Sequence, residues 1–211
     1  MMISKIVFFG DSITAASKDQ HPPLGNGYVA MLKDLFASDS DLNQIKFMNA
    51  GISGHTIDDL LRRYKTDILP HQPDAIVIKI GINDARKDSS SARDRDRVKH
   101  YETGLQHLII TLQNDLPGVQ LFLFTPYYIS DSTSDPLYCI MGEYCGVVKA
   151  LADKFAIPVL DTQAVFDAAV KMKPAREWAP DQIHPEREGH MLIARAAFPF
   201  LKGHLIKGDS Q

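Results

Sequence analysis

The chain has 211 residues, 45% of them hydrophobic and 23% charged, with a formal net charge of -3. That length suffices to bury a core without disulfides or metals, so one domain over residues 1–211 is expected. The charge balance excludes a nucleic-acid footprint, and the composition excludes disorder.

The opening apolar run, residues 3–9, ends at Gly10-Asp11-Ser12-Ile13-Thr14. It is too short for a secretory leader or a membrane span, which favours a cytoplasmic protein without membrane contact. Its length and continuity predict a strand covered on both faces, and its end is a turn bearing a carboxylate and a hydroxyl. Helical periodicity follows over residues 28–36, after a loop holding Gly25-Asn26-Gly27. No strand leads directly into that loop and no phosphate-loop motif exists, so a nucleotide-binding domain is disfavoured.

A second strand is expected over residues 45–48, leading into the glycine-rich run "NAGISGHT", and a third over 75–80, leading into "GIND". Beyond it, Ser89-Ser90-Ser91 and "ARDRDR" read as a solvated loop entering a helix over residues 98–116. Pro117-Gly118 closes that helix before a fourth strand at 119–124, which runs into Thr125-Pro126-Tyr127. Asp135-Pro136 supplies an N-cap and first-turn proline for a helix over 137–155. A fifth strand at 157–160 and a last helix at 188–201 complete the chain. Strands alternating with helices predict a parallel sheet in an α/β sandwich. In such a sheet, ligands bind beyond the carboxyl ends of the strands, where the polar loops fall.

The segment "DQIHPEREGH" places Asp181 three residues before His184. A carboxylate on one ring nitrogen fixes the tautomer and leaves the other nitrogen free to take a serine proton. Acyl transfer also needs oxyanion donors, which the glycine-rich turn and the Asn83 amide can supply. Taken singly, Asn83 reads as an Asx-turn residue, Gly51 and Gly54 as turn glycines, and Asp181-His184 as a capped turn. The common place of Asn83, Gly51 and Gly54 at strand ends favours a site. His190 is expected to pack or cap within the last helix, because "HPEREGH" lacks the spacing of a zinc hydrolase. No metal or organic cofactor is called for, and Cys139 and Cys145 read as two reduced thiols.

Four blocks in order, "GDSIT", "NAGISGHT", "GINDA" and "DQIHP", make the chain resemble the SGNH hydrolase superfamily, also called GDSL esterases. The match spans almost the whole chain, with Ile13 where the first block often has leucine. The resemblance implies a three-layer α/β/α, flavodoxin-like sandwich around a five-stranded parallel sheet. It implies Ser12 as nucleophile, His184 as base and Asp181 as its orienter, with Ser12 N–H, Gly54 N–H and the Asn83 amide as the oxyanion hole. The absence of a Gly-x-Ser-x-Gly elbow argues against an ordinary α/β-hydrolase.

The second half of the chain resembles a carbohydrate-directed branch that deacetylates xylo-oligosaccharides and related sugars. An acetylated oligosaccharide is therefore the expected small-molecule ester, and a homo-oligomer is implied. Asp11 and His55 flank the proposed machinery as substrate contacts, while Tyr127, Tyr128 and Trp178 can stack on sugar rings or pack in the core. The alternatives are a lysophospholipase or thioesterase of the same superfamily, and a non-catalytic binding module on the same fold.

Overall fold

The computed structural model describes residues 3–88 and 94–206. Five parallel strands form one sheet: β1 (Lys5–Gly10), β2 (Lys46–Gly51), β3 (Ala75–Lys79), β4 (Gln120–Phe124) and β5 (Val159–Leu160). Their spatial order is β2-β1-β3-β4-β5, the flavodoxin-like order expected from the resemblance. β1 lies between β2 and β3, and Gly10 stands in register with both Gly51 and Lys79. Ile6, Val7, Phe8 and Phe9 have no solvent exposure, which is why this strand reads as an unbroken apolar run.

Between these strands run α1 (Ser12–Ala15), α2 (Tyr28–Ala37), α3 (Ile57–Asp67), α4 (Ile82–Asp88), α5 (Asp94–Asp115) and α6 (Pro136–Phe155), and after β5 come α7 (Thr162–Ala169), α8 (Ala175–Trp178) and α9 (Arg187–Leu205). Helices α2, α7 and α9 pack together, as do α3, α4, α5 and α6, giving the three expected layers. Asp135 caps α6 by accepting from the backbone N–H groups of Leu137 (2.9 Å) and Tyr138 (3.4 Å). Gly118 takes a left-handed φ of 86° in the turn after α5.

The second strand differs from expectation. It runs on to Gly51, so Asn49 and Ala50 belong to the sheet and the loop starts only at Ile52. Parallel pairing with β1 continues to the Gly10–Gly51 pair and overrides the weak strand propensity of "NAG". Several short helices carried too little periodicity to stand out, among them α1, α4 and α8. The Ser89-Ser90-Ser91 loop lies outside the described residues.

Candidate active site

β1 ends at Gly10, where a Cβ would lie 2.3 Å from the Lys79 carbonyl oxygen and 2.5 Å from Thr14 Oγ1. Asp11 caps the short α1, its Oδ1 accepting from Ile13 N–H at 3.0 Å, and Ser12 is the first residue of that helix. The turn is wedged tightly against β2, because a Cβ on Gly51 would come within 2.2 Å of Ala15 N. Asn49 fixes it from the other side: its Nδ2 donates to the carbonyls of Thr14 and Leu24, each at 2.7 Å.

His184 reaches this turn on a loop between α8 and α9. Gln182, with a left-handed φ of 64°, donates its side-chain amide to Ile129 O and accepts from Ile129 N–H at its own carbonyl, each at 2.9 Å. Glu186 N–H donates to Trp178 O at 2.8 Å just before α9 begins. The loop is thus held to the segment after β4 and to α8. Within it, Asp181 Oδ1 accepts from Ile183 N–H (3.0 Å) and His184 N–H (2.8 Å), while Oδ2 stands 2.6 Å from His184 Nδ1. His184 Nε2 lies 2.8 Å from Ser12 Oγ. A carboxylate at Nδ1 places the ring proton there, so Nε2 presents a lone pair to the serine hydroxyl. Partial burial pushes the Asp181 acid up, but hydrogen bonds from the His184 side chain and the two backbone amides outweigh it, and the net direction is down.

Gly54 has a left-handed φ of 80° on the loop between β2 and α3. The Asn83 amide, in the first turn of α4, donates to His55 O at 2.9 Å. Asp84 Oδ1 accepts from Ile57 N–H at 3.1 Å, tying α4 to the first residue of α3. Burial of that carboxyl pushes its pKa up to about 7. Ser12, Gly54, Asn83 and His184 share one open cavity of about 700 Å³. Its other polar walls are Ser17, Asn26, Ser53, Arg86, Glu186 and Arg187, with Ile13, Ala16 and Pro185 as apolar lining. The cavity sits beyond the carboxyl ends of β1 and β3, where the strand order reverses.

The structure assembles the four sequence blocks but not the expected substrate contacts. None of Asp11, His55, Tyr127, Tyr128 and Trp178 lines this cavity. Tyr127 is fully buried, its ring 4.3 Å from that of Phe166, and Tyr128 is buried with its N–H donating to Gln163 Oε1 at 2.8 Å. Trp178 Nε1 donates to Ala169 O (3.1 Å) and Lys173 O (3.2 Å), so its polar edge is used inside the fold. All three aromatics pack inside the fold. Asp11 is wholly buried and acts as a helix cap. His55 Nδ1 accepts from Arg63 Nε at 3.0 Å. His190 packs as expected: its Nδ1 accepts from Tyr28 N–H at 3.3 Å on the cavity wall, and burial lowers its pKa to about 4.

Three supporting residues escaped the sequence reading: Asn49, Arg63 and Lys18. Besides holding His55, Arg63 donates to Gly10 O at 2.9 Å and pairs with Asp67 at 2.8 Å, its guanidinium 4.4 Å from the Phe9 ring centre. Lys18 Nζ donates to the carbonyls of Asn49 (3.0 Å) and Gly51 (2.8 Å). Asn49 could have been noticed as a polar residue beside a buried strand. Nothing in the local pattern distinguishes Arg63 or Lys18 from solvated charges.

Residues 8–192 match the model of the GDSL-like lipase/acylhydrolase family. An acetylxylan esterase from Geobacillus stearothermophilus is 33% identical over 201 residues, covering 91% of either chain. A crystal structure of that esterase superposes with a TM-score of 0.86 at 32% identity, covering 95% of this chain and 96% of its own. An alpha/beta hydrolase enzyme from the metagenome of Lake Arreo, Spain, superposes with a TM-score of 0.84 at 28% identity, covering 96% and 97%. On sequence and fold alike, the chain belongs to the GDSL-like lipase/acylhydrolase family.

Proposed function

We propose that this chain is a serine esterase that removes acetyl groups from acetylated xylo-oligosaccharides or related sugars. The observation that carries the ester chemistry is the unbroken line from Asp181 Oδ2 through the His184 ring to Ser12 Oγ, at 2.6 and 2.8 Å. In the first step Ser12 Oγ attacks the ester carbonyl as His184 Nε2 takes its proton, and the carbonyl oxygen becomes an oxyanion. Ser12 N–H, Gly54 N–H and the Asn83 amide are the donors at the cavity wall for that charge. Asp181 holds the imidazolium. Collapse breaks the bond to the alcohol oxygen, which leaves with the His184 proton. Water then attacks the acyl-enzyme, gives its proton to His184, and releases acetate with Ser12 restored.

A short acyl group is supported by the cavity, whose apolar lining is confined to Ile13, Ala16 and Pro185, too little to sheathe a long chain. The polar groups around it suit sugar hydroxyls, and the relative from Geobacillus stearothermophilus is an acetylxylan esterase. Cytoplasmic location belongs to the same proposal, as does self-association, the latter implied by resemblance alone; a solution mass equal to one 23.5 kDa chain removes self-association.

The test is hydrolysis of a chromogenic ester series from acetate to octanoate, together with acetate release from acetylated xylo-oligosaccharides. The expected result is fastest turnover of acetate and release from the sugar, both abolished in Ser12→Ala. Preference for octanoate without release from the sugar would overturn the substrate in favour of a lipid or thioester. Full activity in Ser12→Ala would overturn the mechanism.

A further inference from the structure

Beneath the turn that carries Ser12 lies a charged cluster that the ester chemistry leaves unused. Lys79, the last residue of β3, is 1% exposed, and Asp11 and Tyr127 are wholly buried. Lys79 Nζ, Asp11 Oδ2 and the Tyr127 hydroxyl have no hydrogen-bond partner among the described residues. The ammonium sits 4.3 Å from the centre of the Tyr127 ring, and the β1–β3 register places Lys79 beside Gly10, one residue before Asp11. Leaving three such atoms unbonded in one place is costly, and buried polar groups are nearly always bonded. Water can accept from the ammonium and the phenol while donating to the carboxylate.

We propose that enclosed water joins Lys79, Asp11 and Tyr127, and that Lys79 acts through it as a positioning residue, holding the Asp11 carboxylate that caps the nucleophile turn. Burial raises the Asp11 acid and lowers the Lys79 base, and each is the largest charge opposing that effect on the other. The other titratable groups facing the cluster are Asp84 from α4, Tyr101 from α5, Cys145 from α6, Tyr28 from α2, His190 from α9, and His184 and Asp181 from the loop before α9. His184, like Lys79, opposes the upward push of burial on the Asp11 acid. Losing Lys79 therefore weakens the ionised Asp11 that caps the turn bearing Ser12.

The kinetic consequence rests on the esterase reading; the bridge itself does not. A high-resolution crystal structure of the unaltered protein is expected to show water within hydrogen-bond distance of Lys79 Nζ and Asp11 Oδ2. A dry gap, or an ammonium turned to other partners, overturns the bridge. Lys79→Met is expected to lower kcat roughly 3- to 100-fold, the span of couplings within one network, with KM unchanged. Its pH–kcat profile gains an extra inhibitory protonation as Asp11 loses its counter-charge, and activity recovers at higher pH. The double variant Asp11→Asn/Lys79→Met, which leaves no uncompensated buried charge, is expected to fold and to match Asp11→Asn alone. A profile parallel to the parent, or losses that multiply in the double variant, overturns the positioning role. If Ser12→Ala retains esterase activity, the esterase reading fails while the crystallographic outcome still decides the bridge.

Discussion

Asp181 carries two duties on separate oxygens, and one substitution can part them. In Asp181→Asn the amide oxygen can still accept from Ile183 and His184 N–H, preserving the loop, but the amide nitrogen then faces His184 Nδ1. A donor there forces the proton onto Nε2, which turns the base away from the role of accepting from Ser12. The expected outcome is a fall in kcat of about 10⁴-fold with little change in thermal stability, read by steady-state kinetics and a melting curve. The places of Ser12, His184 and Asp181 were legible in sequence because acyl-transfer chemistry fixes the residue type. Those of Tyr127, Tyr128 and Trp178 were not, because an aromatic stacks on a sugar or on a core with the same side chain.

Two glycines of one block sit on different elements and differ in what they tolerate. Gly51 ends β2 with the α1 backbone pressed against it, whereas Gly54 faces open space with a left-handed φ of 80°. Gly51→Ala must push the strand end away from the turn bearing Ser12, and backbone atoms cannot rotate aside. Gly54→Ala meets only conformational strain, about 1–2 kcal/mol. The expected outcome is a larger drop in melting temperature for Gly51→Ala than for Gly54→Ala, measured side by side by calorimetry. The continuous apolar strands and capped long helices were readable from pattern, but α1, α4 and α8 were not. Their few residues are helical because sheet ends and packed loops impose it, which no local period records.

Across the whole molecule, buried acids pull the pH dependence of stability in opposite directions. Partial burial raises Asp59, Asp67 and Asp74, but hydrogen bonds and neighbouring charges outweigh it and lower all three, with Asp59 reaching about 2. Their contribution is present above the unfolded carboxylate range and is lost as pH falls through the folded values. Asp84 has the reverse sign. Its acid is raised from 3.8 to about 7, so its contribution is whole below 3.8 and disappears as pH climbs through about 7. Asp84→Asn resembles the protonated form and keeps an acceptor for Ile57 N–H. It is expected to raise the melting temperature by several degrees at about pH 8 and to change it little at about pH 5. Equal shifts at both would show that the Asp84 carboxyl does not titrate in this range.

By itself, the sequence determined the parallel α/β architecture and the chemical cast, because strand burial, helix caps and acyl-transfer chemistry each demand particular residue types at particular places. Only the tertiary structure decided which of those residues meet. It joined Ser12 to His184 from opposite ends of the chain, drew His55 onto Arg63, turned the expected sugar-stacking aromatics inward, and set Lys79 beneath Asp11. The Ser12–His184 and Asp11–Lys79 pairs bring together segments far apart in sequence, fixed by sheet order and packing, and no local window of the chain contains both partners of either.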